Sequence, residues 1–296
     1  MRVLRTVPGL RTALRPARRA DRAIGLVPTM GAFHAGHHAL MRAARESCDE
    51  VVVSLFVNPA QFNEAGDLAA YPRTFERDAA EAAELGVDVL FAPSDEEIYP
   101  PGFATSVRVE GLSEVLEGAE RGPGHFAGVC TVVAKLLNIV APDVAFFGQK
   151  DAQQVAVVRR MVADLDLPVE LEIVPTVREP DGLAMSSRNV RLDAGERERA
   201  VALSRALRAA GSALGDGERD AAAVRAAALA AMHEFGVEPE YLALVDPDSF
   251  QPVETVNGRV LVAVAARVGD TRLIDNALFQ TRGGDPDTAP TITKEP

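Results

Sequence analysis

Residues 50–57 constrain the fold of this chain more than any other segment. Their sequence, EVVVSLFV, is an almost continuous apolar run. A strand with one face in water alternates apolar and polar residues, whereas a strand that is buried on both faces does not. The run therefore predicts a central strand of a parallel sheet that helices cover on both sides.

Strand-like and helix-like segments alternate around that run as far as residue 174, after an N-terminal segment that predicts a short helix and a basic loop. The predicted strands end in polar or glycine-containing loops. This pattern is typical of a Rossmann-like, doubly wound α/β domain, in which ligands bind beyond the carboxyl ends of the strands. The predicted strands are 24–31, 50–57, 87–92, 143–147 and 169–174, and the predicted helices are 37–47, 71–85, 131–140 and 153–165.

The pattern changes after residue 189. Two alanine-rich helices are predicted at 194–214 and 221–235, followed by strands at 241–245, 260–268 and 271–279, of which the last two form a hairpin. Helices followed by antiparallel strands predict a second, smaller α+β domain. The predicted organisation is a Rossmann-like domain at 1–184, a small C-terminal domain at 185–282 and a disordered tail at 283–296.

Composition excludes several classes of function. The formal net charge is −12, which argues against a general surface for nucleic acids or anionic membranes. The apolar runs are far shorter than the ~20 residues that span a bilayer. The two cysteines predict neither a disulfide framework nor a metal site. No apolar segment follows the N-terminal arginines, so the sequence predicts a cytoplasmic location and no secretory signal.

The strongest functional motif, PTMGAFHAGH, joins the first predicted strand to a helix. His34 and His37 are three residues apart and would share a face at the helix N-terminus. Free N–H groups and the helix dipole favour an anion there. The alternative is a capped helix with surface histidines, but this pattern after a strand-ending turn is typical of nucleotide sites.

A second motif, FFGQKDAQQ, carries a scarce lysine. Only three of the 31 basic residues are lysines, and Lys150 lies in a polar turn after a predicted strand. Its ammonium is a point charge suited to phosphate. Gly148 would let the backbone approach a ligand, and Asp151 would cap the next helix or hold ribose hydroxyls.

Two further loops are weaker signals. Asn58 and Gln61 follow the second strand, where amides would both donate to and accept from a substrate. In the segment MSSRN, hydroxyls and a guanidinium form a typical phosphate grip, although a capped linker is the alternative. Its residues are Met185, Ser186, Ser187, Arg188 and Asn189.

Together these groups suit the adenylation of a carboxylate. One anion attacks the α-phosphorus of another, so positive charge and positioning supply most of the catalysis. The chain has no G-x-S-x-G nucleophile motif, no Walker A motif and no G-x-G-x-x-G motif.

Seven segments, in order, resemble the pantothenate synthetase family of the HxGH nucleotidyltransferase superfamily. The resemblance implies a Rossmann-like domain, a small C-terminal lid and a homodimer. It implies ATP with Mg²⁺, and pantoate and β-alanine as the other substrates, with pantoyl adenylate as intermediate. The segments are PTMGAFHAGH, VVVSLFVNPAQFN, YPRTFERD, HFAGVCTVVAKLLN, FFGQKDAQQ, PTVREPDGLAMSSRN and TRLIDN.

The resemblance also implies roles for single residues. The catalytic residues would be His34, His37, Lys150 and Arg188. ATP would contact Met30, Gly31, His34, His37, Gly148, Lys150, Asp151, Val177, Met185, Ser186, Ser187 and Arg188. Substrate would contact Asn58, Gln61 and Gln154, with no metal ligand from the protein. Two alternatives remain: a related enzyme that passes a nucleotidyl group to a phosphorylated substrate, and a nucleotide sensor without turnover.

Overall fold

The computed structural model describes residues 1–62, 65–122 and 124–281. They form two compact units, which divide between Val177 and Arg178. The predicted class, a Rossmann-like parallel sheet with a second, smaller α+β unit, is confirmed. The predicted tail at 283–296 and Asn63 of the loop after the second predicted strand lie outside the described residues.

Within these ranges, the first unit contains six strands and eight helices. Its strands are β1 (Arg2–Leu4), β2 (Ile24–Thr29), β3 (Glu50–Leu55), β4 (Val89–Phe91), β5 (Val144–Gly148) and β6 (Glu170–Val174). Its helices are α1 (Val7–Arg19), α2 (Ala35–Ser47), α3 (Ala65–Ala70), α4 (Phe75–Glu84), α5 (Asp95–Ile98), α6 (Glu117–Arg121), α7 (Gly124–Val140) and α8 (Ala152–Asp164). The strands form one sheet in the order β1–β4–β3–β2–β5–β6, and every pair is parallel.

Alternate residues of the central strand enter two different cores, as a strand that is buried on both faces requires. Val52 lies in the larger core, with the apolar side chains of α1, α7 and α8. Val51 and Val53 lie in the other core, with the side chains of α2. All three valines are fully buried. This burial explains why the sequence of β3 shows no alternation.

Two differences from the expected elements are explained by contacts with segments far away in the chain. The edge strand β1 was not predicted, because three residues carry no periodicity and the strand exists only through its pairing with β4. Helix α7 begins at Gly124, seven residues earlier than expected. The early turns contain Gly128, which lowers helix propensity but is required by a close backbone contact described below.

The second unit, as far as residue 281, contains three helices and a three-stranded antiparallel sheet. The helices are α9 (Ala194–Ala200), α10 (Ala202–Gly215) and α11 (Ala221–His233), and the strands are β7 (Pro239–Val245), β8 (Arg259–Val268) and β9 (Thr271–Gln280). The sheet order is β7–β8–β9, and the predicted hairpin joins Val268 to Thr271. The expected single helix at 194–214 is wrong, since it is two helices that meet at Val201.

The boundary between the units comes earlier than the expected division at 184/185. Arg178 makes a bidentate ion pair with Asp275 of β9, at 2.6 and 3.0 Å. Leu183 is buried in the core of the second unit. These contacts tie residues 178–184 to the second unit, which sequence patterning could not indicate.

Among the residues that the structure describes, no helix is both long enough and apolar enough to cross a membrane.

Candidate active site

The order of strands in the parallel sheet brings two of the motifs together. The chain order reverses between β2 and β5, which are direct neighbours. Open parallel sheets bind ligands outside the carboxyl ends of their strands at such a point. His34 and His37 follow β2, and Lys150 follows β5. The histidine motif and the lysine motif therefore lie at the same edge of the sheet.

His34 and His37 lie at the start of α2, as predicted. His34 is the N-cap residue, and its Nδ1 accepts a hydrogen bond from the backbone N–H of Gly36 at 3.1 Å. In a neutral imidazole, that bond places the proton on Nε2 and makes Nε2 a donor. The rings of His34 and His37 are stacked at an angle, with centroids 4.1 Å apart.

His37 is held as a neutral imidazole. Its Nδ1 is shielded from solvent and makes no hydrogen bond to any residue that the structure describes. Burial lowers the pKa of His37 to about 3, and the neighbouring charges of His34, His38 and Lys150 act in the same direction. Lys150 is thus one of the charged groups that act on this neutral imidazole.

The loop before the histidines is held by a buried carboxylate at the end of the segment YPRTFERD, to which the sequence analysis assigned no role. Asp78 of α4 is fully buried and accepts from the backbone N–H groups of Ala32 and Phe33, at 2.8 and 3.0 Å. Gly31 and Ala32 both have positive φ, 86° and 53°. Such a turn costs energy at a residue other than glycine, so the two hydrogen bonds stabilise the bend that presents His34.

Gly148, Lys150 and Asp151 lie in the turn between β5 and α8. Lys150 is mostly buried, and its Nζ is 3.8 Å from Oδ1 of Asp151. Asp151 is the N-cap residue of α8 but makes no side-chain cap bond. A Cβ atom placed on Gly148 would meet no atom of the described residues within 4 Å. Packing therefore does not require glycine here, and the space beside the backbone fits a closely approaching ligand.

Asn58 and Gln61 lie in a tight turn after β3. Asn58 is only 1% exposed, and its amide nitrogen donates to Oε1 of Gln61 at 3.0 Å and to the carbonyl of Gly128 at 3.1 Å. Nε2 of Gln61 is 3.1 Å from Sδ of Met30. The structure thus brings Met30 and Gln61, both predicted site residues, into contact.

Helix α7 packs against the turn that carries Asn58 and Gln61. A Cβ atom on Gly128 would lie 2.2 Å from the carbonyl oxygen of Ala60, so only glycine fits. The Nδ1 atom of His125 is 2.9 Å from the carbonyl oxygen of Gln61. The motif HFAGV therefore has a physical basis: it holds the backbone of the loop that carries Gln61.

The remaining predicted residues of the first unit are placed less specifically. Gln154 lies on the first turn of α8, half-buried, and Val177 is the half-buried last residue of this unit. The neighbouring Gln153, which was not predicted, is buried and bonds to the backbone of residues 112–117 through three hydrogen bonds of 2.7–3.0 Å.

Within the second unit, Met185, Ser186, Ser187 and Arg188 lie at the tip of a loop. Ser186 caps a short 3-10 turn by accepting from the backbone N–H of Arg188 at 3.2 Å. All four residues keep partial exposure.

The base of that loop is held by groups whose structural roles the sequence did not indicate. Asn189 donates from Nδ2 to Glu179 at 2.7 Å and to the carbonyl of Ala184 at 3.0 Å. Arg197 lies 2.6 Å from Glu179, and this bond holds the pKa of the Glu179 carboxyl below its usual value. Arg178 is fixed by Asp275, which gives the acid of the motif TRLIDN a structural role.

No group of three or more His, Cys, Asp or Glu side chains could hold a metal ion in the described part of the chain. The cation expected with ATP is a component of that substrate, and phosphate and water oxygens suit Mg²⁺ better than a protein cage does.

Comparison with known proteins finds relatives over nearly the whole chain. A family model described as pantoate-beta-alanine ligase matches residues 2–278. The pantothenate synthetase of Pelotomaculum thermopropionicum is 52% identical over 283 residues, which cover 94% of this chain and 99% of that protein. The crystal structure of pantothenate synthetase from Thermus thermophilus is 49% identical, covers 94% of this chain and 99% of its own, and has a TM-score of 0.88.

A further solved structure carries ligands. It is the pantoate-beta-alanine ligase from Francisella tularensis, described as complexed with beta-gamma ATP and beta-alanine. It is 35% identical, with a TM-score of 0.78, and the match covers 94% of this chain and 97% of that one.

Proposed function

Because this chain belongs to the pantoate-beta-alanine ligase family, we propose that it joins pantoate to β-alanine at the carboxyl edge of its parallel sheet, through a pantoyl-adenylate intermediate. ATP-dependent ligation follows from the family. The assignment of steps to residues is the proposal. The observation that supports it is that the histidine pair and Lys150 follow β2 and β5, the two neighbouring strands at the strand-order reversal.

In the first step, a carboxylate oxygen of pantoate attacks the α-phosphorus of ATP, and pyrophosphate leaves with the bonding electrons. Negative charge builds on the phosphoryl oxygens. The ammonium of Lys150 and the N–H groups of His34 and His37 would stabilise that charge. The N-terminus of α2 adds its backbone donors. Because His37 is neutral before ATP binds, the phosphates would raise its pKa and strengthen its donation.

In the second step, the uncharged amine of β-alanine attacks the acyl carbon, and AMP leaves. No protein nucleophile is needed, since the mixed anhydride is already activated. Gln61 and Gln154 would hold pantoate between the two steps, while Gly148, Asp151 and Val177 would contact ATP. Positioning supplies most of the acceleration in such a transfer.

Three finer assignments belong to the same proposal. Mg²⁺ would accompany the ATP phosphates. Met185, Ser186, Ser187 and Arg188 would bind phosphates when the second unit acts as a lid. The chain would work as a cytoplasmic homodimer. The motifs PTVREPDGLAMSSRN and TRLIDN support the assignment of phosphate binding to residues 185–188. The ion pair between Arg178 and Asp275 and the hydrogen bond from the Asn189 side-chain amide to Glu179 hold the loop that carries those residues in place.

The test is AMP release from ATP and Mg²⁺ with pantoate, with and without β-alanine. We expect AMP only when both are present, in equal amount to pantothenate. AMP transfer to a phosphorylated acceptor would indicate the activity of the related nucleotidyltransferases. The family match argues against that activity. ATP binding without AMP release under any condition would favour a sensor.

A further inference from the structure

We propose that Tyr99 is a positioning residue for pantoate, because its hydroxyl orients, through Asn58, the side-chain amide with which Gln61 faces the substrate. The inference rests on the proposed function, since it assigns a supporting group to the same site. It concerns a residue outside every motif that the sequence singled out.

Three side chains form a directed chain of hydrogen bonds. The hydroxyl of Tyr99 donates to Oδ1 of Asn58 at 2.7 Å. Nδ2 of Asn58 then donates to Oε1 of Gln61 at 3.0 Å. A carboxamide has two donor and two acceptor positions, and the backbone groups of Ala60 and Gly128 take the other two, at 3.3 and 3.1 Å.

Burial makes this orientation matter. Asn58 is 1% exposed, so an amide turned the other way could not recover its hydrogen bonds from water. It would set Nδ2 against the N–H of Ala60 and Oδ1 against the carbonyl of Gly128. The bond from Tyr99 is the shortest of the four at Asn58.

The orientation of Asn58 decides what Gln61 offers to a ligand. Since Oε1 of Gln61 accepts from Asn58, its Nε2 is directed away from that pair, toward Met30. The backbone of Gln61 is held separately, by His125 at 2.9 Å and by the close approach of Gly128. Tyr99 therefore acts on the side-chain amide, and Gln61 presents an N–H donor to an oxygen of pantoate.

The surroundings of Tyr99 keep its hydroxyl a donor and its ring in place. Burial raises the pKa of Tyr99 to about 12, and Asp95 adds to the rise, so the hydroxyl stays protonated at working pH. The ring lies between Phe56 and Phe103, with centroid distances of 6.2 and 5.1 Å. Replacement by phenylalanine thus removes the hydrogen bond and leaves the ring packing.

The experiment is steady-state kinetics of Tyr99→Phe in the full chain. We expect the KM for pantoate to rise about three- to tenfold, the factor typical of one lost hydrogen bond, with the KM for ATP unchanged and the thermal midpoint lowered by no more than the loss of one hydrogen bond explains. In a Gln61→Ala background, the same substitution should have no further effect, because its target is gone.

The matched control is Thr131→Val. It removes another buried hydroxyl of the first unit, one that donates to Ala127 and accepts from Val107, and should leave the KM for pantoate unchanged. An unchanged pantoate KM in Tyr99→Phe, or an equal rise in the Gln61→Ala background, would overturn the inference. Absence of pantoate-dependent turnover in the unmodified chain would overturn the proposed function and, with it, the inference. That outcome differs from failure of the inference alone, in which the unmodified chain is active.

Discussion

The two edges of the parallel sheet use polar residues in opposite ways. At the amino edge, an aspartate precedes each of β3, β4 and β5 and accepts a backbone N–H of a neighbouring strand. Asp49 bonds Ala23 at 3.0 Å, Asp88 bonds Val51 at 2.8 Å and Asp143 bonds Ile24 at 2.7 Å.

At the carboxyl edge, by contrast, Nδ1 of His37 has no hydrogen-bond partner among the described residues, and open space lies beside Gly148. A buried polar group without a partner costs stability, so it persists where a ligand completes it. The amino edge therefore stabilises the sheet, and the comparison supports the proposal that the carboxyl edge binds the substrates. Substitutions at the carboxyl edge should therefore change the reaction rate, whereas substitutions at the amino edge should change the stability of the fold.

The largest expected effect is on catalysis at the carboxyl edge. Lys150→Ala should slow pantoate-dependent formation of pyrophosphate about 100- to 1000-fold, since a preorganised charge on the phosphates is lost. Stability should change little. Lys135→Ala is the control, because that ammonium lies over the ring of Phe103, 4.6 Å from its centroid, and should leave the rate intact. A near-normal rate in Lys150→Ala would refute its proposed role.

Substitutions at two glycines test why each position lacks a side chain. At Gly128 the reason is close packing within the protein, and at Gly148 the proposed reason is room for a ligand. Gly128→Ala should destabilise the first unit by about 1–3 kcal/mol, because its Cβ would collide with the backbone of Ala60. Gly148→Ala should leave the unfolding midpoint unchanged and raise the KM for ATP. Denaturant titration and ATP kinetics on both variants measure this. A loss of stability at Gly148 would contradict the interpretation of that space.

The neutral state of His37 predicts a pH dependence of stability. Its pKa is about 3 in the folded chain and about 6.5 when unfolded, so the unfolded state binds the proton more tightly. The stabilisation is full above pH 6.5 and is lost as pH falls toward 3. At pH 5 the loss is about 2 kcal/mol.

Urea unfolding at pH 7 and pH 5, followed by circular dichroism, measures that loss. His37→Gln should lose about 2 kcal/mol less between the two values than the unmodified chain does. His233→Gln, which replaces an exposed histidine of the second unit, should not differ from the unmodified chain. Equal losses in the His37→Gln variant and the unmodified chain would contradict a buried neutral His37.

The smallest effect is expected at the amino edge. Asp143→Ala removes the acceptor for the N–H of Ile24 and should lower the unfolding free energy by about 0.5–1.5 kcal/mol. All steady-state constants should remain unchanged, since that edge is remote from the carboxyl ends of the strands. A raised KM for ATP or pantoate would show that the two edges are not independent.

Much of the fold could be predicted because its signals are local. The continuous valine run of β3 and the Gly269 turn each act within a few residues. What could not be predicted depends on distant partners. The strand β1 needs β4, and Arg178 joins the second unit only because Asp275 lies beside it.

In the candidate site too, some residues were indicated by local sequence signals and others depend on distant partners. Histidine spacing and the scarcity of lysine pointed to His34, His37 and Lys150, and these assignments stay predictions until their variants are measured. Tyr99 carried no signal, because a lone tyrosine is ordinary in sequence, and Asp78 appeared only as the last residue of the segment YPRTFERD, with no role assigned to it. Their importance comes from what they bond, 41 and about 45 residues away.

The sequence by itself determined the parallel-sheet class, the family and the order of the motifs, because these follow from periodicity and residue type along the chain. Only the tertiary structure decided which hydrogen bonds are already used and which remain open. Asn58 and His37 are both polar residues that follow a strand of the parallel sheet, Asn58 in a loop and His37 in the first turn of α2. Neighbouring groups occupy the hydrogen-bonding positions of the Asn58 amide, whereas one ring nitrogen of His37 has no hydrogen-bond partner among the described residues. That difference arises from packing between segments far apart in the chain, which residue type and spacing along the sequence do not show.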